Sequence, residues 1–246
     1  FYFMGRKWLA IPWVPVALLG TAPAFISGFK NTQTYNRTWE ARQVYGAIIN
    51  NSRALGIMIK DFVRSEDKIL EKQLHQQIIY RHFAWLTALR FQLREIKSWE
   101  NVKTKSYNRE YLKYYKVPEW ESNLEEELRP FLNEEERHYI LSTKNRATQI
   151  IALQSSLLKK LNEEGKISDY NYVALENQLK ELYDQQGKCE RIKNFPYPRQ
   201  FSSINIYFTN LFCILLPFGF LGEFSKTIEK FGENIIWLTI PFSMIL

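Results

Sequence analysis

No charged side chain interrupts the chain from Trp8 to Phe29. This run, WLAIPWVPVALLGTAPAFISGF, has about the length that a helix needs to cross ~30 Å of hydrocarbon. Trp8 and Trp13 near one end suit an interfacial aromatic belt. Pro12, Pro15 and Pro23 would oppose a long helix in water. Membrane helices tolerate proline, and a proline near a helix start removes only an N–H that had no partner there. A second run, Phe201 to Phe224, carries no charge before Glu223. A third, within Phe231 to Leu246, is too short to span as it stands. One such run could be the core helix of a soluble protein, but two and a partial third predict a membrane protein.

Charge is distributed accordingly. Of the 33 Lys and Arg residues, 29 lie in 30–200, and 23 of the 26 Asp and Glu lie there too. The formal net charge of +7 does not point to nucleic acid, because the charges alternate in sign and build no long basic block or known binding motif. Cys189 and Cys213 make neither a disulfide framework nor a metal site. Cys213 sits in an apolar run and is expected to be a small buried hydrophobe. The chain opens FYFMGRKW, without an initiator Met or a signal-peptide pattern, and stops inside an apolar run at IPFSMIL. Both ends are expected to be cuts in a longer protein.

Between the apolar ends the pattern is helical. Val44, Ile48, Leu55, Ile59 and Phe62 recur at spacings that put them on one face. Leu70, Leu74, Ile78, Trp85, Leu89, Leu93 and Ile96 continue the style through 69–97. From Ser98 to Pro130 the chain is aromatic, charged and irregular, and Pro118 breaks any helix in KVPEW. Helix is expected again across 133–162, with a stop near Gly165, a restart capped by Ser168 and a softened end near Gly187. No strand alternation and no internal repeat is evident.

Residues that could carry chemistry are few. His75 and His82 lie two helical turns apart, but no third ligand stands at metal spacing. The clusters Glu125–Glu127 and Glu134–Glu136 are expected to form solvated helix faces. No phosphate-cradling glycine loop, nucleophile elbow or Cys-x-x-Cys occurs. The pattern therefore predicts no enzyme, no metal site and no cofactor. Thr21, Phe25 and Phe29 lie one turn apart on one helix face, about 6 Å apart in height. Alone, that spacing describes a lipid-facing or buried stripe. Repeated around an axis, Phe25 and Phe29 would form stacked apolar rings of the kind that gate ions by dewetting.

The block ALLGTAPAFISGFKNTQTYNRTWEARQVYGAIINNSRALG resembles the signature of bestrophins in their bacterial branch. The shared pattern is an apolar helix ending in Gly28-Phe29, a polar step at Asn31, then Tyr35, Arg37, Trp39, Glu40, Arg42, Tyr45-Gly46 and Asn51-Ser52-Arg53. CERIKNFPYPRQF, from Cys189 to Phe201, resembles the family's Cys-Glu-Arg-Ile followed by a Pro-x-Pro step. LFCILLPFGF resembles the start of a late membrane helix. The three blocks stand in family order across 18–220, and the 98–165 region is less familiar.

The resemblance implies an all-α, multi-helix membrane channel subunit that assembles as a homopentamer of identical subunits around one central pore. It implies a single channel domain over 1–246, with a pore-lining transmembrane helix at 8–29, a cytosolic helical region at 30–200 and transmembrane helices at 201–246, the last incomplete. The family's hydrophobic neck maps onto Thr21, Phe25 and Phe29, with Thr21 standing where a bulky aliphatic is usual. Its cytosolic aperture maps onto Tyr197, flanked by Pro196 and Pro198, where an aliphatic is common. The implied activity is passive conduction of small monovalent ions across the lipid bilayer of the bacterial inner membrane, chloride-type anions first. Monovalent cations are the alternative, since at least some bacterial members prefer them. Two other classes stay open at this point: a non-conducting membrane-bound helical scaffold, and a soluble basic protein that binds nucleic acid. The family's first membrane helix would precede Trp8, and the acidic calcium cluster of its animal members would follow Leu246.

Overall fold

The computed structural model describes residues 10–102, 104–226 and 232–245. Trp8, at the start of the expected first span, lies outside them. Among the described residues the structure is helical and contains no strand. The helices are α1 (Trp13–Phe62), α2 (Lys68–Arg94), α3 (Ser106–Tyr114), α4 (Leu124–Leu128), α5 (Glu134–Ser142), α6 (Arg146–Glu163), α7 (Asp169–Asn194), α8 (Arg199–Lys226) and α9 (Thr239–Ile245). Short 3₁₀ turns at Pro118–Trp120 and Glu233–Leu238 join them.

The largest departure from the sequence expectation is in α1. The helix does not end with the apolar run at Gly28-Phe29: it continues through the polar segment as far as Phe62. Pro15 falls in the first turn, where its missing N–H costs nothing, and Pro23 is accommodated inside. Gly28 keeps an ordinary helical backbone, since among the described residues only Gly165 and Gly232 have positive φ. The polar residues after Phe29 are accommodated in the helix. The hydroxyls of Thr32, Thr34 and Thr38 donate to the carbonyls of Gly28, Lys30 and Thr34 one turn back. Residues that ordinarily compete with the helix backbone are thereby folded into it.

The chain divides into two compact units: the described parts of Phe1–Thr38 and Pro196–Leu246 make one, and Trp39–Phe195 the other. In the second, α2 packs on α6 and α7. Val44, Ile48, Leu55 and Ile59 are buried, as their spacing predicts, together with Leu74, Ile78, Trp85 and Leu89 of α2. Ile150, Leu158 and Leu161 of α6 and Leu175, Leu179 and Leu182 of α7 complete that core. Each such side chain contributes roughly 1.5–3 kcal/mol by leaving water. Phe62, Leu70 and Leu93 reach the core only partly, and Ile96 is exposed because α2 ends at Arg94.

Side-chain caps set the helix boundaries in this unit. Asp67, Asn123, Asn133, Asn145 and Ser168 each accept from a backbone N–H in the first turn of the helix they precede. The helix expected across 133–162 is divided at Thr143–Asn145, since Asn145 starts a new helix rather than continuing the old one. Gly165, with φ of 72°, closes α6: the Lys166 N–H donates back to the Leu161 carbonyl at 2.9 Å, the wide turn that a left-handed residue permits. Gly187 does not soften α7, which continues to Asn194.

The acidic clusters are not simply solvated faces. They occupy the first turns of α4 and α5, where the helix dipole favours negative charge. Glu136 pairs with Arg81, which is itself buried, and Glu127 pairs with Arg90 at 3.1 Å. Arg90 also holds Glu119 at 3.1 Å. The cations of α2 thus tie the irregular 98–130 segment and α5 to the core. At the centre, Trp85 Nε1 donates to Gln186 Oε1 at 2.9 Å, while Gln186 Nε2 reaches Thr148 Oγ1 at 2.9 Å and Glu190 Oε1 at 2.8 Å. Gln92 donates to the same Glu190 oxygen at 3.0 Å, so α2, α6 and α7 share one polar network.

In the other unit the first part of α1 lies against α8. Trp13 stacks on Phe220 with ring centroids 5.0 Å apart, and the Ile11 N–H donates to the Phe218 carbonyl at 3.2 Å. A Cβ on Gly20 would meet the Phe212 ring at 2.5 Å, and one on Gly222 would meet the Ile11 carbonyl oxygen at 2.5 Å. These glycines permit the close approach. By length and composition, Gln200–Lys226 is long and apolar enough to cross a membrane. Cys213, expected to be buried, is exposed. The apolar surface of α8 exceeds what α1 and α9 cover, which also leaves Ile206, Tyr207, Leu211 and Ile214 exposed.

Candidate functional site

The face of α1 opposite its contact with α8 gathers the residues singled out from the sequence. Val16 and Pro23 point toward the packed side and are buried. Phe25 and Phe29, on the other side, are 69% and 56% exposed. Their rings meet edge to face, with centroids 4.8 Å apart and planes at 75°, and together they form one apolar ledge. Thr21 is exposed on the same face. Its hydroxyl donates to the Leu18 carbonyl at 2.7 Å, which places its hydrogen inside the helix bonding and leaves the stripe without a free donor there.

The stripe is longer than the three residues expected. Val14 and Leu18, each 66% exposed, continue it toward the helix start. Counting back from Phe25 in steps of four, three and four reaches Thr21, Leu18 and Val14, so the helical period alone could have found them. Gly28, Asn31 and Tyr35 form a second stripe alongside, also exposed. A Cβ on Gly28 would meet nothing within 4 Å, so packing within this chain does not require glycine there.

The remaining signature residues do different work. Glu40 of α1 makes an ion pair with Arg191 of α7, which joins the first family block to the Cys-Glu-Arg-Ile block. Asn51 contributes its carbonyl to Gln178 Nε2 at 2.9 Å. Trp39 and Arg42 are exposed and Arg37 is half-buried. Burial, and then the neighbouring Glu190 carboxylate, push the Cys189 thiol above its ordinary range, which keeps it protonated and a poor nucleophile. His75 Nε2 lies 2.8 Å from the Val63 carbonyl. Among the described residues no group of three or more His, Cys, Asp or Glu could hold a metal ion.

Pro196 and Pro198 lie in the short link between α7 and α8 and are exposed, while Tyr197 between them is half-buried. Its ring lies 6.3 Å from that of Phe201 in the first turn of α8. The two prolines stand in the break between α7 and α8, and Pro198 disfavours a helical backbone at Tyr197.

Residues 3–245 match the family described as Bacterial/Fungal Bestrophin protein. The chain belongs to the bestrophin family. This bestrophin is 28% identical over 209 residues to the voltage-dependent anion channel-forming protein YneE of Salmonella typhi, a match covering 85% of this chain and 58% of that protein. It is 27% identical, over the same length and shares, to the protein of that name from Escherichia coli K12. The chain thus spans less than two thirds of the length of these curated relatives. The crystal structure of a bacterial bestrophin homologue from Klebsiella pneumoniae superposes with a TM-score of 0.72 at 25% identity, over 99% of this chain and 77% of that one. The all-α architecture read from the sequence is therefore that of solved bestrophins.

Proposed function

We propose that this bestrophin is the pore-forming subunit of a passive anion channel, a homopentamer in the bacterial inner membrane with the 30–200 region in the cytosol. The observation that carries the proposal is the bare apolar stripe of Val14, Leu18, Thr21, Phe25 and Phe29, turned away from α8. Five copies of α1 around an axis would set Phe25 and Phe29 into two stacked rings, a hydrophobic constriction that passes ions only when wetted. The names of its relatives as voltage-dependent anion channel-forming proteins support the same function. Thr21 fits the upper ring better than its residue type suggests, because its hydroxyl hydrogen is held by the Leu18 carbonyl. Tyr197, between Pro196 and Pro198, forms the second narrowing at the cytosolic side. The whole chain then acts as a single channel domain despite its two compact units.

The test is reconstitution of the full-length protein into a planar bilayer under a KCl gradient, with its mass measured in detergent. A pentamer whose reversal potential lies toward that of chloride supports the proposal. A monomer or dimer, or a silent bilayer, defeats it.

A further inference from the structure

The stripe that carries Phe25 and Phe29 does not stop at the apolar ledge. In a helix of 3.6 residues per turn, positions i, i+4, i+7 and i+11 stay within about 40–60° of one another. From Phe25 these positions are Phe29, Thr32 and Asn36, all within α1 and all exposed. Asn36 lies about 10 Å further along the axis than Phe29. Thr34, by contrast, is on the opposite side of the helix from Phe25.

The chemistry of this continuation is specific. Thr32 Oγ1 donates to the Gly28 carbonyl at 3.1 Å, so its hydroxyl hydrogen is spent within the helix. The Asn36 carboxamide pairs with no described residue. It offers two N–H donors and one carbonyl acceptor without a formal charge. Within residues 10–38 the formal charges are Lys30 and Arg37, both positive, and the carboxylate one turn beyond Asn36, Glu40, is ion-paired with Arg191. On the stripe of Phe25, Phe29 and Thr32, the first side chain with free N–H donors is therefore Asn36, a neutral amide between the cations Lys30 and Arg37 in sequence. Nearby cations favour anions, and amide N–H groups are suited to the partly dehydrated surface of a large monovalent anion.

We propose that Asn36 is a specificity-determining residue: its amide, repeated around the axis just beyond Phe29, receives a partly dehydrated monovalent anion and disfavours potassium. This rests on the pore function proposed above. The experiment compares reversal potentials of the reconstituted pentamer under a KCl gradient for wild type, Asn36→Asp, Asn36→Ala, Asn36→Gln and Thr34→Asp. Asn36→Asp is expected to lower the chloride-to-potassium permeability ratio by about tenfold or more. Asn36→Ala should lower it several-fold, Asn36→Gln should keep it, and Thr34→Asp on the far face should change it little. Mass in detergent confirms that each variant assembles, and Asn36→Gln guards against loss of the fold. Equal shifts from Asn36→Asp and Thr34→Asp, or an unchanged ratio in a conducting Asn36→Ala channel, would overturn the assignment while leaving the pore intact. A wild type that prefers potassium would overturn it as well. A wild type without current would instead remove the pore function on which it stands.

Discussion

Glu40 on α1 and Arg191 on α7 are joined by an ion pair across 151 residues of sequence. The pair connects the Glu-x-Arg part of the first bestrophin block to the Cys-Glu-Arg-Ile block, so two motifs that look independent in the sequence are one contact in the fold. Both side chains are well exposed, and solvent screening keeps the net contribution below about 1 kcal/mol. Arg191→Ala and Glu40→Ala should each lower the thermal midpoint only slightly. A double-mutant cycle should return a coupling of about 0.5 kcal/mol that shrinks in high salt. A coupling of several kcal/mol would mean that the pair is buried in the assembled protein.

In the proposed pore, the edge-to-face pair of Phe25 and Phe29 makes a prediction about conduction rather than stability. Both rings are exposed in the single chain, so trimming them removes little of its packing. Phe25→Ala with Phe29→Ala should raise conductance or open probability in a planar bilayer, with the mass of the assembly unchanged. Unchanged currents would place the constriction elsewhere.

His82 provides a pH dependence. Burial, with no charged partner, pulls its pKa down to about 4 from 6.5. The ring stacks on Trp85 at 5.3 Å, and its Nε2 is buried without a hydrogen-bond partner. The folded state therefore refuses a proton that the unfolded chain accepts. Stability falls as pH drops below about 6.5 and levels off near 4, by up to about 3 kcal/mol. Thermal unfolding between pH 7.5 and 4.5 should show this loss, and His82→Phe should flatten that part of the profile. An identical acid slope in both proteins would assign it to other groups.

Two glycines that look alike in the sequence should respond differently to alanine. At Gly222 the added Cβ would lie 2.5 Å from the Ile11 carbonyl oxygen, a backbone atom that cannot swing aside. Gly222→Ala should force the start of α1 away from α8, at a cost of about 1–3 kcal/mol, seen as a lower thermal midpoint in detergent. Gly28→Ala meets open space and should leave the subunit's own stability unchanged or slightly raised, since alanine favours helix. A drop in the yield of the proposed pentamer without a drop in subunit stability would place Gly28 at a contact between copies.

Much of the fold was legible because helical periodicity is local. The faces of Val44 to Ile59 and of Leu74 to Leu89 are buried where their spacing placed them, and Ser168 caps α7. The stripe of Thr21, Phe25 and Phe29 was legible for the same reason. The end of α1 was not, because a change from apolar to polar residues alters what a helix faces without altering whether it is a helix. The pairing of Glu127 and Glu136 with α2 cations was equally hidden, since a carboxylate's partner is a property of the folded chain.

The sequence by itself determined the helix periods, the cap at Ser168, the apolar ends and the family blocks, all of which depend on neighbours within a few turns. Tertiary structure alone decided that Val14 and Leu18 are bare, that Cys213 is exposed and that Glu40 meets Arg191. Which face of a helix is covered depends on what packs against it from far along the chain. Here the close approach at Gly20 and Gly222 takes one side of α1 for α8 and leaves the Phe25 side open.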